Sequence, residues 1–259
     1  MVSIVIVSFN ARADLERCLA SLHDARRRTA HEILVVDNAS SDGSAEAARK
    51  WTDVIVIQNG ANLGFAAANN VGIRASRGDL LLFLNSDTIV PAGAIDRLVA
   101  ALDADAAVAA VGPRLVDANG RAELSFGPMI SPLNEWRQKR RGHDADLVER
   151  VTRERAYPDW VSGACLLVRR ADAEAVGLLD ERFFMYTEDV DFCASIRARG
   201  RRILFAPEVE VVHLRGRSAA AAPAATNEAY RRSQLAFYRK HHPLWAPVLR
   251  LYLRVRGQA

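Results

Sequence analysis

Short apolar runs recur through the first half of the chain, at residues 2–7, 33–36, 54–57, 80–84 and 108–111. They are too short for buried helices and too uniformly apolar for half-exposed strands, so they read as strands covered on both faces. The stretches between them carry helical signals. Leu15, Cys18, Leu19 and Leu22 recur at helical spacing, and the polar loop 37–44 is rich in capping residues before a helix to about Trp51. Residues 66–77 read as a helix, and Pro91 suits the first turn of another running to about Leu102. Strand and helix thus alternate four times in the first hundred residues, which predicts an α/β fold: a mostly parallel central sheet with helices on both faces.

The second half is less regular. Residues 115–116 and the turn 117–120 predict a hairpin. Residues 127–157 hold Pro128, Pro132 and the basic run 137–141 with little periodicity, an excursion that reads either as a solvated loop or as a phosphate-contacting surface. Order returns at 160–168, a polar entry into a buried strand, followed by a short helix stopped by Gly177. Aromatics at 183–186 lead into Glu188, Asp189 and Asp191 at the start of a helix that ends before Gly200. Residues 203–206 and 209–212 predict two strands, the second ending at His213. Beyond an alanine-rich linker, 228–241 form a basic amphipathic helix. Residues 243–257 then mix aromatic, aliphatic and cationic side chains as an interfacial membrane segment or a partner-docking helix would.

Composition narrows the class. With 259 residues, 50% hydrophobic and 25% charged, the chain suits one compact enzyme-sized unit. A net charge of +4 spread along the chain demands no nucleic acid and suits an anionic ligand or lipid surface equally. Cys18, Cys165 and Cys193 lie in apolar stretches and read as reduced, buried thiols of a cytoplasmic protein. The opening lacks a signal peptide's basic start, and no run approaches the roughly 18 apolar residues of a spanning helix. Any membrane contact is expected to be peripheral, at the inner face of the cell membrane through the C-terminal tail.

The candidate chemistry sits where strands end. The first, second and fourth strands run into Asn10, Asp37, and Asn85 with Asp87, at the edge where open α/β sheets bind ligands. Gly60 and Gly64 allow close backbone approach after the third. Each feature has a plainer reading: Asp87 as a turn residue, the 188–191 acids as partners of a helix macrodipole, His213 as structural. Together, Asp87 beside a histidine suits Mg²⁺ or Mn²⁺, and such an ion on a diphosphate would neutralise a leaving group. A further carboxylate in the aromatic-lined pocket would act as base, its pKa raised by neighbouring acids and partial burial.

The motifs 3–10, 35–44, 62–66 with Asn69 and Gly72, 84–87, 162–164, 187–191 and His213 before Gly216 resemble, in order, those of the family 2 glycosyltransferases, most closely the bacterial rhamnosyltransferase branch. The resemblance implies a GT-A fold over residues 1–218: a nucleotide-sugar-binding half at 1–114, an acceptor-binding half at 115–218, and a basic tail at 219–259. It implies inverting transfer of a sugar, rhamnose from dTDP-rhamnose foremost, to a glycan or lipid-linked acceptor in cell-surface polysaccharide synthesis. A UDP-hexose or UDP-galactofuranose transferase is the alternative. Asp37 would bind the base, Asp87 and His213 the Mg²⁺ or Mn²⁺, and Asp189 would be the catalytic base with Glu188 and Asp191 beside it. Asn85 stands where the family's metal motif has its first acid. Substrate contacts are expected from Ser8, Asn10, Asp37, Asn38, Asn62, Gly64, Phe65, Asn69, Asn85, Ser86, Trp160, Gly163 and Arg217. A methyltransferase of related topology would want a glycine-rich turn after the first strand, which 8–12 does not offer. A silent glycan-binding protein would be expected to lack Asp87 or Asp189, and both are present.

Overall fold

The computed structural model describes residues 1–24, 28–131, 134, 144–214 and 223–255. The basic run 137–141, Arg217 and most of the alanine-rich linker lie outside them. The first half follows the expected alternation: β1 (Val2–Ser8), α1 (Arg12–Asp24), β2 (His31–Asp37), α2 (Ser44–Ala48), β3 (Val54–Gln58), α3 (Phe65–Ala75), β4 (Leu80–Asn85), β5 (Thr88–Ile89) and α4 (Ala94–Asp103). The second half adds β6 (Val108–Val116), β7 (Phe126–Gly127), α5 (Ala145–Val151), β8 (Trp160–Val161), β9 (Cys165–Arg169), α6 (Arg170–Ala175), α7 (Glu188–Ala198), β10 (Arg202–His213), α8 (Pro223–His241) and α9 (Ala246–Val255).

An eight-stranded sheet runs in the order β3-β2-β1-β4-β9-β6-β10-β5. Its first four strands are parallel neighbours. β9 then enters antiparallel between β4 and β6, β10 returns parallel to β6, and β5 closes the edge antiparallel to β10. Because strand side chains alternate, β1 and β4 feed both cores. Ile4, Ile6, Leu82 and Leu84 pack with Leu15, Leu19, Leu98 and Leu102 of α1 and α4. Val5, Leu81 and Phe83 face Ala68 and Ile73 of α3, Phe192 and Ile196 of α7, and Phe237 and Tyr238 of α8. The helix expected at 228–241 is therefore the C-terminal part of a longer one docked on the core.

Two expectations need correction. The two strands expected at 203–206 and 209–212 are one strand, β10, with a register shift between Ala206 and Glu210. Pro207 sits in that shift; it has no N–H for the ladder and is tolerated at a bulge. The poorly patterned excursion also holds a helix, α5, capped by the Asp144 carboxylate accepting from the Leu147 N–H at 3.0 Å. Seven residues are too few to show a clear period.

Candidate functional site

The carboxyl ends of β1, β2 and β4 meet the turn before β9 along one edge of the sheet. Ser8 and Asp37 are register partners at the ends of β1 and β2, and both are fully buried. One Asp37 oxygen accepts from the Ser40 N–H at 3.1 Å. Its Oδ1, and Ser8 Oγ, have no hydrogen-bond partner among the described residues. Leaving a buried polar atom unpaired costs about 1–3 kcal/mol. Asn10, at φ 49°, latches the two neighbouring loops: its N–H donates to Ser40 Oγ at 2.9 Å and its Oδ1 accepts from the Ser41 N–H at 2.8 Å.

Asn38 is a structural knot. Its amide nitrogen donates to Asn62 Oδ1 (3.0 Å) and the Gly64 carbonyl (3.2 Å), and its oxygen accepts from Asn59 and from the Leu63 N–H. The loop so tied delivers Gly64, at φ 83°, against Phe184: a β-carbon there would collide with the Phe184 carbonyl and ring, so only glycine fits. The Phe65 N–H then donates to that carbonyl at 2.6 Å, which clamps the start of α3 to the segment before α7. Asn69 donates to the Phe65 carbonyl, while its buried Oδ1 has no partner among the described residues.

The acids at the start of α7 are held by strained backbone. Tyr186 and Thr187 both adopt left-handed φ, 70° and 64°, a conformation that costs bulky and β-branched residues about 1–3 kcal/mol each. Asp189 Oδ2 accepts from the Gly163 N–H at 2.9 Å and Oδ1 from the Val190 N–H at 2.8 Å. Gly163 brings its backbone beside both Asp189 and the Phe65 ring. Glu188 is buried with Oε2 unpaired, and burial together with the Asp189 charge pushes its carboxyl well above the ordinary range. Asp191 points elsewhere, to Lys240 Nζ at 2.8 Å and His241 Nε2 at 2.6 Å.

β4 ends in the second cluster. The Asn85 N–H donates to the Ala164 carbonyl at 2.9 Å, joining this strand end to the Gly163 turn. Ser86 lies between Asn85 and Asp87. The Asp87 carbonyl accepts from the Leu214 N–H, which fixes the end of β10 against it. There His213 Nε2 stands 3.3 Å from Asp87 Oδ1 and 3.4 Å from the Asn85 amide, and Nδ1 stands 3.2 Å from Glu123 Oε2. Burial weighs against a charged imidazole, but Asp87 and Glu123 outweigh it and lift the pKa to about 9. Glu123 is the residue that sequence reading missed. It arrives on the hairpin after β6, where its N–H donates to the Leu115 carbonyl. The turn was legible, whereas the β10 end it meets lies ninety positions away.

Asp87 and His213 fit a divalent ion as an open pair. Among the described residues no group of three or more His, Cys, Asp or Glu could hold one alone. Mg²⁺ and Mn²⁺ commonly keep several positions for water and phosphate oxygens, so two protein donors suit an ion completed by a bound diphosphate. The Glu123 carboxylate on Nδ1 directs Nε2 towards Asp87, the usual support of a metal-bound histidine. Trp160 spends its indole N–H on the Pro128 carbonyl at 2.9 Å, so it can only offer its ring.

Comparisons with known proteins agree with this geometry. The sequence model of Glycosyl transferase family 2 matches residues 3–152. An N-acetylglucosaminyl-diphospho-decaprenol L-rhamnosyltransferase of Mycobacterium tuberculosis is 32% identical, the match covering 93% of this chain and 85% of that relative. The mannosyltransferase PcManGT from Pyrobaculum calidifontis, solved with GDP-Man and Mn²⁺, superposes with TM-score 0.65 at 20% identity over 96% of this chain and 68% of that one. S. aureus TarS, solved with UDP-GlcNAc, superposes with TM-score 0.60 at 19% identity over 89% of this chain and 64% of that one.

Proposed function

The chain belongs to glycosyl transferase family 2 and has the GT-A fold, and from that premise we propose that it moves L-rhamnose from dTDP-rhamnose onto a hydroxyl of a lipid-linked saccharide, with inversion. The observation that carries the mechanism is the Asp189 carboxylate, oriented by the Gly163 and Val190 N–H groups. The rhamnose assignment is supported by the 32% identical relative, and the lipid-linked acceptor by that relative's name.

In this reading the donor's base lies against Asp37 Oδ1 and Ser8 Oγ, the buried atoms that lack partners. Asp87 and His213 would hold Mn²⁺ or Mg²⁺, and the imidazole nitrogen would favour Mn²⁺ because Mg²⁺ prefers oxygen ligands. Such an ion supplies Lewis-acid neutralisation of the departing nucleoside diphosphate. Asp189 takes the proton of the acceptor hydroxyl as that oxygen forms its bond to the anomeric carbon, and the bond from that carbon to the diphosphate oxygen breaks on the opposite face. Glu188 lies buried beside the base, its carboxyl pushed well above the ordinary range by burial and by the Asp189 charge. Phe65 and Phe184 wall the pocket, and the strained 186–187 backbone keeps the base in place while substrates exchange.

The test is a panel of nucleotide sugars with a synthetic lipid-diphosphate N-acetylglucosamine acceptor, followed by NMR of the product's anomeric centre. Preferred turnover of dTDP-rhamnose with inversion is expected. Retention would remove Asp189 from its role, and preference for a UDP-hexose or UDP-galactofuranose would replace the donor.

A further inference from the structure

α9 carries apolar side chains on two sides. Ala246, Leu249 and Leu253 face inward, with Ala246 and Leu249 in the core that holds α8. Leu244, Trp245, Val248, Leu251, Tyr252 and Val255 face outward, with Leu244 89%, Leu251 64% and Val255 81% exposed. At about 100° per residue, positions 248, 251, 252 and 255 form one stripe, and 244 and 245 extend it beyond the helix start. A contiguous outward stripe of this kind marks an interaction surface, unlike scattered exposed apolar residues. Arg254 borders it beside Leu251, and no acidic residue occurs from His241 to Val255.

We propose that this outward face of α9 docks on an anionic phospholipid bilayer. Aliphatic and aromatic residues at the stripe would enter the headgroup boundary, and Arg254, whose stem can lie along apolar surface, would meet lipid phosphates. A helix with cations and no acid from His241 to Val255 is complementary in charge to an anionic surface. The face is fixed relative to the site. His242 Nε2 bonds the Ile130 carbonyl at 2.7 Å, Ser233 Oγ donates to the Met185 carbonyl at 2.7 Å, and Lys240 and His241 grip Asp191 in the first turn of α7. Docking α9 therefore sets the position of the start of α7 above the bilayer. The proposal stands whichever sugar and acceptor the site takes.

The experiment is co-sedimentation of the full chain with phosphatidylcholine vesicles, with and without about one third phosphatidylglycerol. Binding to the anionic vesicles is expected, weakened at least about 10-fold by Leu251→Glu with Val255→Glu, and by about fivefold for Arg254→Gln, with a smaller change for Arg250→Gln on the far side of the helix. Unchanged melting and unchanged nucleoside diphosphate binding would show that the variants fold, and Arg254→Gln serves if the glutamates disturb packing. Equal sedimentation of all forms would overturn the proposal. So would indifference to lipid charge, or a full-length dimer that Leu251→Glu with Val255→Glu converts to monomer, which would assign the stripe to a second copy of the chain.

Discussion

Asp189 and Asp191 are two residues apart on the first turn of α7, yet they face different surroundings. Asp189 is partly exposed and oriented by backbone N–H groups, next to buried groups that lack partners. Asp191 is 2% exposed and gripped by Lys240 and His241, and Lys240 also reaches Asp180 at 2.8 Å. Arg182, against the opposing effect of burial and with help from Lys240, holds Asp180 below the usual carboxylate range. Ion-paired acids of this kind bind elements together. The lesson is that three acids in four residues make a single sequence signal but three physical situations, because each side chain leaves the helix at its own angle.

The strongest break in that comparison is Asp189→Asn, which keeps the shape and removes the proton acceptor. Transfer should fall by about 10² to 10⁴, with donor binding by calorimetry changed little; near-normal transfer would make Asp189 a helix cap. Next comes Glu123→Gln, which weakens the support of His213 Nδ1. Mn²⁺ affinity in the presence of nucleoside diphosphate, read by calorimetry or by the spin resonance of free Mn²⁺, should drop about 10- to 100-fold with the fold intact. An unchanged affinity would confine Glu123 to packing.

Asp191→Asn tests the paired side. It should cost about 1–3 kcal/mol, the range for unmaking a charged buried hydrogen bond, and lower Tm by about 2–4 °C per kcal/mol. Transfer by the folded protein should stay near normal; a loss as large as that of Asp189→Asn would show the two faces act as one. The smallest effect is expected from Glu188→Gln. In the unfolded chain this carboxyl ionises near its ordinary value, whereas the folded protein retains the proton to higher pH. Stability therefore declines as pH rises above that ordinary value, and glutamine removes the decline. Melting curves should show the variant gaining on the parent from acidic to mildly alkaline pH, with transfer within about 10-fold; a parallel pair of curves would place Glu188 in an ordinary ionised state.

The alternation of buried strands and helices was legible because β1, β2 and β4 are covered on both faces and read as largely apolar runs, whereas β3, apolar too, is the sheet's edge strand with Ile55 exposed. The strand-end residues Asn10, Asp37, Asn85 and Asp87 were legible for the same reason, since polarity stands out where a buried run stops. The sequence by itself thus determined the α/β class and the polar strand ends that gather at one edge of the sheet. Only the tertiary structure decided which acid faces the pocket, because a helix start separates Asp189 from Asp191 by angle and not by composition. It also decided that Glu123 backs His213 and that α8 grips Asp191, since contacts between positions 90 and 49 residues apart leave no local period in the chain. β9 entering between β4 and β6 was fixed in the same way: its apolar residues state burial, and direction follows only from where the chain has room to return.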